Sequence, residues 1–159
     1  MSKLEGELGI LARRRIEAEI IKPIYEILKR EQGQAFAAAV IGEAVGNAAI
    51  QAGKHFAALE EQADLKSFVE LQVLWEKDDA LKVEIIASDA EHYDYDVKRC
   101  RYAEMYNEMG LGEIGHLLSC NRDALFIVGY NPDIELTRTQ TIMGGAHHCD
   151  FRYRAKPHE

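Results

Sequence analysis

The chain has 159 residues, 47% of them hydrophobic, which is enough for one sizeable core and too little for two comfortable domains. Its formal net charge of -8, from 19 basic and 27 acidic residues, argues against a surface that neutralises nucleic-acid phosphates. We therefore expect one domain with no nucleic-acid partner.

The cysteines and the N-terminal composition indicate the compartment. Cys100, Cys120 and Cys149 lie far apart, form no C-x-x-C pair and are odd in number, as expected for free thiols in a reducing environment. The first residues are acidic and lack the apolar segment of a signal peptide. The longest apolar run, residues 35–42, is well short of the roughly 20 residues that cross a bilayer. We expect a cytoplasmic protein with no membrane partner.

The first part of the chain, residues 1–62, is predicted to be helical. Apolar residues recur at every fourth position over residues 3–30 and predict an amphipathic helix. The predicted packing face is Leu8, Ala12, Ile16, Ile20, Ile24 and Leu28. Pro23 predicts a kink or a new helix start, and Gly33 predicts a C-terminal stop.

A second helix is predicted over residues 34–61, with an apolar stripe at every fourth position from Phe36 to Phe56. Gly42, Gly46 and Gly53 form a separate strip of small residues, which lets helices approach closely. The strip leaves two interpretations open: close packing inside one subunit, or the interface of a homo-oligomer.

The remaining part, residues 63–155, is predicted to carry the sheet and the site. Residues 69–75 and 81–87 alternate between apolar and polar and predict a β-hairpin. Residues 88–95 have loop composition, residues 97–109 predict a helix, and residues 121–130 fit either a strand or a helix. Residues 135–142 and 149–154 alternate again and predict a second hairpin. The expected fold is a single α+β domain over residues 1–159, with N-terminal helices packed on an antiparallel sheet of about four strands.

Residues 112–120 carry three reactive side chains at helical spacing. In an α-helix, Glu113, His116 and Cys120 would lie at i, i+3 and i+7, so a carboxylate, an imidazole and a thiol would share one face. A neighbouring imidazole supplies a thiol with both a base and a lowered pKa. Asp123 follows three residues after the thiol and adds a second carboxylate.

Residues 144–154 form the densest cluster of reactive groups, Gly-Gly-Ala-His-His-Cys-Asp-Phe-Arg-Tyr-Arg. The two glycines predict a turn, and the alternation after them places Cys149 on the inward face, with Arg152 and Arg154 opposite. At most one of His147 and His148 can point at a site if this segment is extended.

The predicted partner strand carries polar residues on its core face. Leu136 and Ile142 mark that face, and Arg138 and Gln140 share it. A buried polar side chain is costly unless it meets a partner or a ligand. Arg138 is therefore a candidate anchor for an anionic substrate group, and a structural ion pair is the alternative.

Several of these segments occur in an order that resembles a known family. They are Cys-Arg-Tyr-Ala-Glu-Met at 100–105, Glu-Ile-Gly at 113–115, Cys-Asn-Arg-Asp at 120–123, Asn-Pro at 131–132, Leu-Thr-Arg-Thr at 136–139, Gly144, and Cys-Asp-Phe-Arg at 149–152. Together they resemble the L-2-amino-thiazoline-4-carboxylic acid hydrolase family over roughly residues 97–154, and more weakly over the first helices. The resemblance implies a hydrolase that opens a five-membered thiazoline ring, converting 2-aminothiazoline-4-carboxylate to N-carbamoyl-cysteine.

Such a reaction needs a nucleophile, an acid and base, and a carboxylate anchor. We assign Cys149 or Cys120 as nucleophile and His116, Asp123 and Glu113 as acid–base groups. Arg138 is the predicted carboxylate anchor, and Gln140, Cys100 and His148 are predicted substrate contacts.

Two alternatives stay open. The first keeps the reaction but makes it metal-assisted, since Glu113, His116, Cys120, His147 and Cys149 are all acceptable zinc ligands. Their spacing matches no standard zinc signature, so we expect no cofactor. The second alternative is a non-catalytic sensor or carrier that binds a small molecule in the same pocket.

Overall fold

The computed structural model describes residues 6–156 and has an α+β architecture, as predicted. Its elements are α1 (Ile10–Gln32), α2 (Gln34–Ala57), α3 (Leu65–Leu71), α4 (Val73–Glu76), β1 (Leu81–Ser88), β2 (His92–Cys100), α5 (Arg101–Glu108), a π-helical turn (His116–Cys120), α6 (Asn121–Tyr130), β3 (Ile134–Thr137) and β4 (Cys149–Ala155). The four strands form one antiparallel sheet in the order β1-β2-β4-β3. The helices lie along the chain before and between these strands, and the core fills the space between sheet and helices.

The predicted packing face of the first helix is wrong. Ile16, Ile20 and Ile24 are 58%, 65% and 45% exposed, whereas Ile10, Arg14, Ala18 and Tyr25 are buried. A four-residue repeat advances about 40° per step relative to the α-helical period, so the apolar stripe winds off the packing face. The helix continues through Pro23 without the predicted second start, and it ends at Gly33, whose φ of 89° fits the predicted glycine stop. Residues 3–5 of the predicted helix lie outside the described residues.

In the second helix, too, the first residues of the predicted apolar stripe are exposed, whereas the glycine strip is confirmed as a packing surface. Phe36 and Val40 are exposed, and the predicted stripe turns inward only at Ala52 and Phe56. Gly53 lies so close to α6 that an added Cβ would sit 2.8 Å from the backbone nitrogen of Tyr130. The strip therefore packs helices together inside this chain.

Within residues 6–156, α2 is also the one helix long and apolar enough, by length and composition, to cross a membrane. The core helix of a soluble protein and a signal sequence near the N-terminus pass the same test.

The first predicted hairpin strand, residues 69–75, is helical instead. Asp64 accepts a hydrogen bond from the backbone nitrogen of Ser67 at 2.9 Å and so caps the start of α3. Leu65, Phe68 and Leu71 then recur at helical spacing and are buried. The second predicted strand is confirmed as β1, and it pairs with β2.

The central strand β2 was missed, because its first residues have loop composition. Tyr93, Tyr95 and Val97 point into the core, while Asp94 and Asp96 face the other side. Salt bridges join Asp94 to Arg154 and Asp96 to Arg152 on the outer face of the sheet. The two β4 arginines therefore lie opposite the core, as the alternation predicted.

The last predicted hairpin is confirmed, with a shorter first strand. β3 ends at Thr137, and residues 138–148 form an irregular connection to β4 that contains the predicted glycine turn, with Gly145 at φ 103°. The carboxylate of Asp150 accepts hydrogen bonds from the backbone nitrogens of Thr139 and Gln140, each at 2.9 Å, and from the Thr139 hydroxyl. This carboxylate fixes the start of the connection, which we call the 138–148 loop.

Candidate active site

The inner face of the sheet forms one wall of a cavity. Alternate residues of β2 and β4 point toward it, and the register places Val97 opposite Cys149 and Tyr95 opposite Phe151. The rings of Tyr95 and Phe151 stack with their centroids 4.7 Å apart. The strand alternation thus confirms that Cys149 faces inward, where it is only 6% exposed.

The opposite wall comes from the helices. The π-helical turn and the first turn of α6 contribute Ser119, Cys120, Arg122 and Asp123. Their position is fixed by the close approach of α2 to α6 at Gly53.

The cavity has a volume of about 70 Å³, several times the 10–15 Å³ or so that one water molecule requires by the same measure. Most of its lining is apolar or aromatic. The aromatic members are Phe68, Trp75, Tyr95, Tyr102, Tyr106, Phe126, Phe151 and Tyr153. Such a space suits a small ring better than an extended or highly charged molecule.

All three cysteines line this cavity, and none forms a disulfide. Burial raises the pKa of Cys100 to about 11, and burial together with the charge of Asp123 raises the pKa of Cys120 to about 12. Burial also raises the pKa of Cys149, and the backbone N–H of Ile142, which donates to its sulfur at 3.2 Å, opposes this shift. The cavity therefore holds Cys100 and Cys120 as neutral thiols at neutral pH.

Asp123 and Arg138 form an ion pair at the cavity wall. Arg138 Nη1 lies 3.0 Å from Asp123 Oδ2, and Nη2 donates to the carbonyl oxygen of Cys120 at 2.8 Å. The guanidinium also lies over the ring of Phe151, 5.0 Å from its centroid. Burial raises the pKa of Asp123 to about 6, and the charge of Arg138 opposes that rise. The carboxylate is therefore poised to gain or lose a proton near neutral pH.

The structure does not bring Glu113 or His116 to this cavity. Glu113 lies on the surface, where Lys29 donates to it at 2.8 Å and Gln34 at 3.2 Å. His116 is exposed at the start of the π-helical turn. The predicted common face requires a continuous α-helix, whereas residues 112–114 form a turn and residues 116–120 have a π-helical period.

Gln140 and His148 also lie outside the cavity lining. The Gln140 side-chain nitrogen is 2.8 Å from His148 Nε2, and that same ring nitrogen is 3.9 Å from Asp96 on the outer face. The reason is strand parity, since His148 directly precedes the inward-facing Cys149. His147 is exposed.

Two arginines in the cavity wall were missed. Arg14 of α1 and Arg122 of α6 are 8% and 7% exposed, and both line the cavity. The signal for Arg14 was available, because it falls four residues after Ile10 and four before Ala18 on the buried face. A 3.6-residue period, applied strictly, would have shown a charge on that face.

The geometry of the described residues provides no set of ligands for the metal-assisted alternative. Within residues 6–156, no group of three or more His, Cys, Asp or Glu side chains is arranged to hold a metal ion. The predicted zinc ligands divide between the surface, with Glu113 and His116, and the cavity, with Cys120 and Cys149.

These features define an α+β protein with a cavity lined by aromatic rings, thiols, a carboxylate and guanidinium groups. The family model described as L-2-amino-thiazoline-4-carboxylic acid hydrolase matches residues 13–153. The chain belongs to this family, which confirms the resemblance found in the sequence.

A solved structure shares the fold. It is described as the crystal structure of the phenol-responsive sensory domain of the transcription activator PoxR with phenol. The TM-score is 0.53 with 10% sequence identity, and the match covers 87% of this chain and 73% of the other. No curated protein matches the sequence.

Proposed function

We propose that this protein is a hydrolase that opens a small cyclic amidine of the thiazoline-carboxylate type. The observation that carries the proposal is the convergence of three thiols and the Asp123–Arg138 pair in one cavity. Membership of a family described as a thiazoline-carboxylate hydrolase supports the same reaction class. The type reaction is conversion of 2-aminothiazoline-4-carboxylate to N-carbamoyl-cysteine.

Cys149 is the proposed nucleophile. Burial raises the pKa of Cys149, and the backbone N–H of Ile142 and the charge of Arg138 oppose that rise, so its thiolate forms only when a base takes the proton and is then stabilised by these two groups. Asp123 is the proposed base, because its pKa of about 6 leaves it ionised at neutral pH. Transfer of the thiol proton to Asp123 keeps one negative charge beside Arg138, so the transfer separates no new charge.

The first half of the reaction opens the ring. The Cys149 sulfur bonds to the ring carbon that lies between sulfur and nitrogen, and the bond from that carbon to the ring sulfur breaks. Asp123 hands the proton it received to the departing sulfur, which becomes a free thiol. The substrate is then joined to Cys149 as an S-alkyl isothiourea.

Water completes the reaction. Asp123 takes a proton from water as the water oxygen adds to the same carbon, and the bond from that carbon to Cys149 breaks. The second proton of the water moves to the former ring nitrogen, so the oxygen becomes the carbonyl of the carbamoyl group, and Asp123 returns the first proton to the Cys149 sulfur. Cys120, neutral because of its high pKa, can donate a hydrogen bond to charge that develops during either half.

This mechanism requires no cofactor. We further propose a cytoplasmic location, where reducing conditions keep the three free cysteines as thiols, and a small-molecule substrate as the only required partner.

Single substitutions test the assignment. Cys149→Ser and Asp123→Asn should each lower the rate of thiol release from 2-aminothiazoline-4-carboxylate, the first by roughly 10³-fold or more. Cys100→Ser is the comparison variant: Cys100 was predicted to contact the substrate but takes no part in bond formation, so this variant should lower the rate far less than Cys149→Ser does. Full activity in both Cys149→Ser and Cys120→Ser would remove the thiol mechanism. Loss of activity on chelation, restored by a divalent metal, would favour the metal-assisted alternative.

A non-catalytic small-molecule sensor is the second candidate. The aromatic lining of the cavity and the structural likeness to a phenol-responsive sensory domain favour it. Tight binding without turnover across a panel of thiazolines, hydantoins and phenols would support the sensor over the hydrolase.

A further inference from the structure

Arg14 and Arg122 of the cavity wall form a second charged group with Glu17, which does not itself line the cavity. Arg14 Nη1 lies 3.1 Å from Glu17 Oε1, and Arg122 Nη2 lies 3.0 Å from the same oxygen. Both arginine side chains are 9% exposed, whereas that of Glu17 is 39% exposed. One carboxylate, partly in solvent, thus accepts hydrogen bonds from two buried guanidinium groups.

The hydrogen bonding of Arg122 is incomplete. Its Nε is buried and has no hydrogen-bond partner. A buried N–H of a charged group normally donates a hydrogen bond. An N–H without an acceptor at a cavity wall therefore indicates that a ligand supplies the acceptor. The nearby carboxylate of Asp123 is already paired with Arg138.

The charges around the cavity do not balance. Arg14, Arg122 and Arg138 carry three positive charges, and Glu17 and Asp123 carry two negative ones. An uncompensated charge is costly to bury, because the protein interior screens it poorly. A monoanionic ligand would both neutralise the site and supply the missing acceptor.

We propose that Arg122, supported by Arg14, binds the carboxylate group of a small heterocyclic acid in this cavity. This inference rests on the proposed function for the identity of the ring, and it names the anchor of that substrate. It replaces Arg138 as anchor, since the Arg138 guanidinium is held by Asp123, by the Cys120 carbonyl and by the Phe151 ring.

Binding can be measured without turnover. Trp75 is the single tryptophan of the chain and lines the cavity, so its fluorescence reports a ligand there. The probes are thiazolidine-4-carboxylate, whose saturated ring has no amidine carbon to attack, and the matching neutral carboxamide. We expect the carboxylate to bind at least tenfold more tightly than the carboxamide.

Three variants locate the anchor. Arg122→Met should weaken carboxylate binding at least tenfold and leave carboxamide binding unchanged. Arg13→Met is the matched control on α1, because Arg13 pairs with Glu7 on the surface and should not affect either probe. Glu17→Gln should tighten carboxylate binding severalfold, since it removes the negative charge that competes with the ligand for the two guanidinium groups.

Equal affinity of the wild-type protein for the two probes would overturn the proposal, as would Glu17→Gln with unchanged carboxylate affinity. Neither result depends on whether Arg122→Met folds. An inactive enzyme that still prefers the carboxylate through Arg122 would refute the hydrolase and keep the anchor. An active enzyme with no such preference would refute the anchor and keep the hydrolase.

Discussion

The close approach of α2 and α6 can be tested with two glycines of the same helix. An added Cβ at Gly53 would lie 2.8 Å from the backbone nitrogen of Tyr130 and closer still to the carbonyl oxygen of Phe126. An added Cβ at Gly42 would meet only the Leu117 side chain, at an ordinary 3.6 Å. Alanine is therefore a clash at the first position and a normal contact at the second.

The two substitutions share one favourable effect, because alanine stabilises a helix interior by about 1 kcal/mol relative to glycine. Gly42→Ala should therefore leave the free energy of unfolding equal or raise it by up to about 1 kcal/mol. At Gly53 the clash must be relieved by moving backbone against backbone, and overpacking of this kind costs roughly 1–3 kcal/mol or more. We expect Gly53→Ala to be less stable than Gly42→Ala by at least about 2 kcal/mol, or roughly 4–8 °C in Tm.

Urea unfolding followed by circular dichroism measures the difference, with the slope of the transition checked for equality between variants. Gly53→Ala should also lower the rate of ring opening more than Gly42→Ala does, because α6 carries Asp123 and Arg122. Equal stability of the two variants would refute the close helix approach and, with it, this account of how the cavity wall is positioned.

Three further predictions concern the cavity. The rate of ring opening should fall as pH drops through about 6, because Asp123 is a base only when ionised and its pKa is raised to about 6; Asp123→Asn should abolish this acid limb of the profile. Arg138→Met should cost roughly 3–5 kcal/mol of stability at pH 8 by leaving Asp123 unpaired, and less at pH 5, where Asp123 is protonated; an equal loss at both pH values in urea unfolding would contradict this. Iodoacetamide should label Cys100 and Cys120 at pH 7.5 at least roughly tenfold more slowly in the native than in the urea-unfolded protein, as their raised pKa values leave little thiolate, and mass spectrometry of the digested protein measures the two rates.

The sequence predicted those features that depend on strong local patterns. Strict alternation placed Cys149 inward and Arg152 outward, and the structure agrees. The glycine strip of α2 was recognised as a close-packing surface because only small residues permit such an approach. The α+β class followed from the change of period along the chain.

Competing signals caused the errors. Tyr93 and Tyr95 alternate with aspartates, and this polar composition is typical of a loop. In the structure the segment is a strand, because Arg152 and Arg154 of β4 pair with the aspartates. Residues 69–75 fit both periods, and the helix prevailed because of the cap at Asp64. Such choices depend on tertiary partners that a short window does not contain.

The site was predictable in its reactive groups and not in its assembly. Cys120, Cys149, Asp123 and Arg138 were identified from residue type and spacing, and all four line one cavity. Arg122 belongs to residues 121–130, which fit either a strand or a helix in the sequence, so the face to which its side chain points could not be assigned.

The 138–148 loop joins two of these groups, with Arg138 at its first position and Cys149 directly after its last. Asp150 holds the first part of the loop through Thr139 and Gln140, and these hydrogen bonds involve no residue between 141 and 148. Ile142 donates to the Cys149 sulfur and Met143 lines the cavity, whereas residues 144–147 do neither, so these four are the part that can vary in length and composition while both ends stay in place. That makes it the natural position for loop grafting, in which a new substrate range is introduced and the reacting groups are left unchanged.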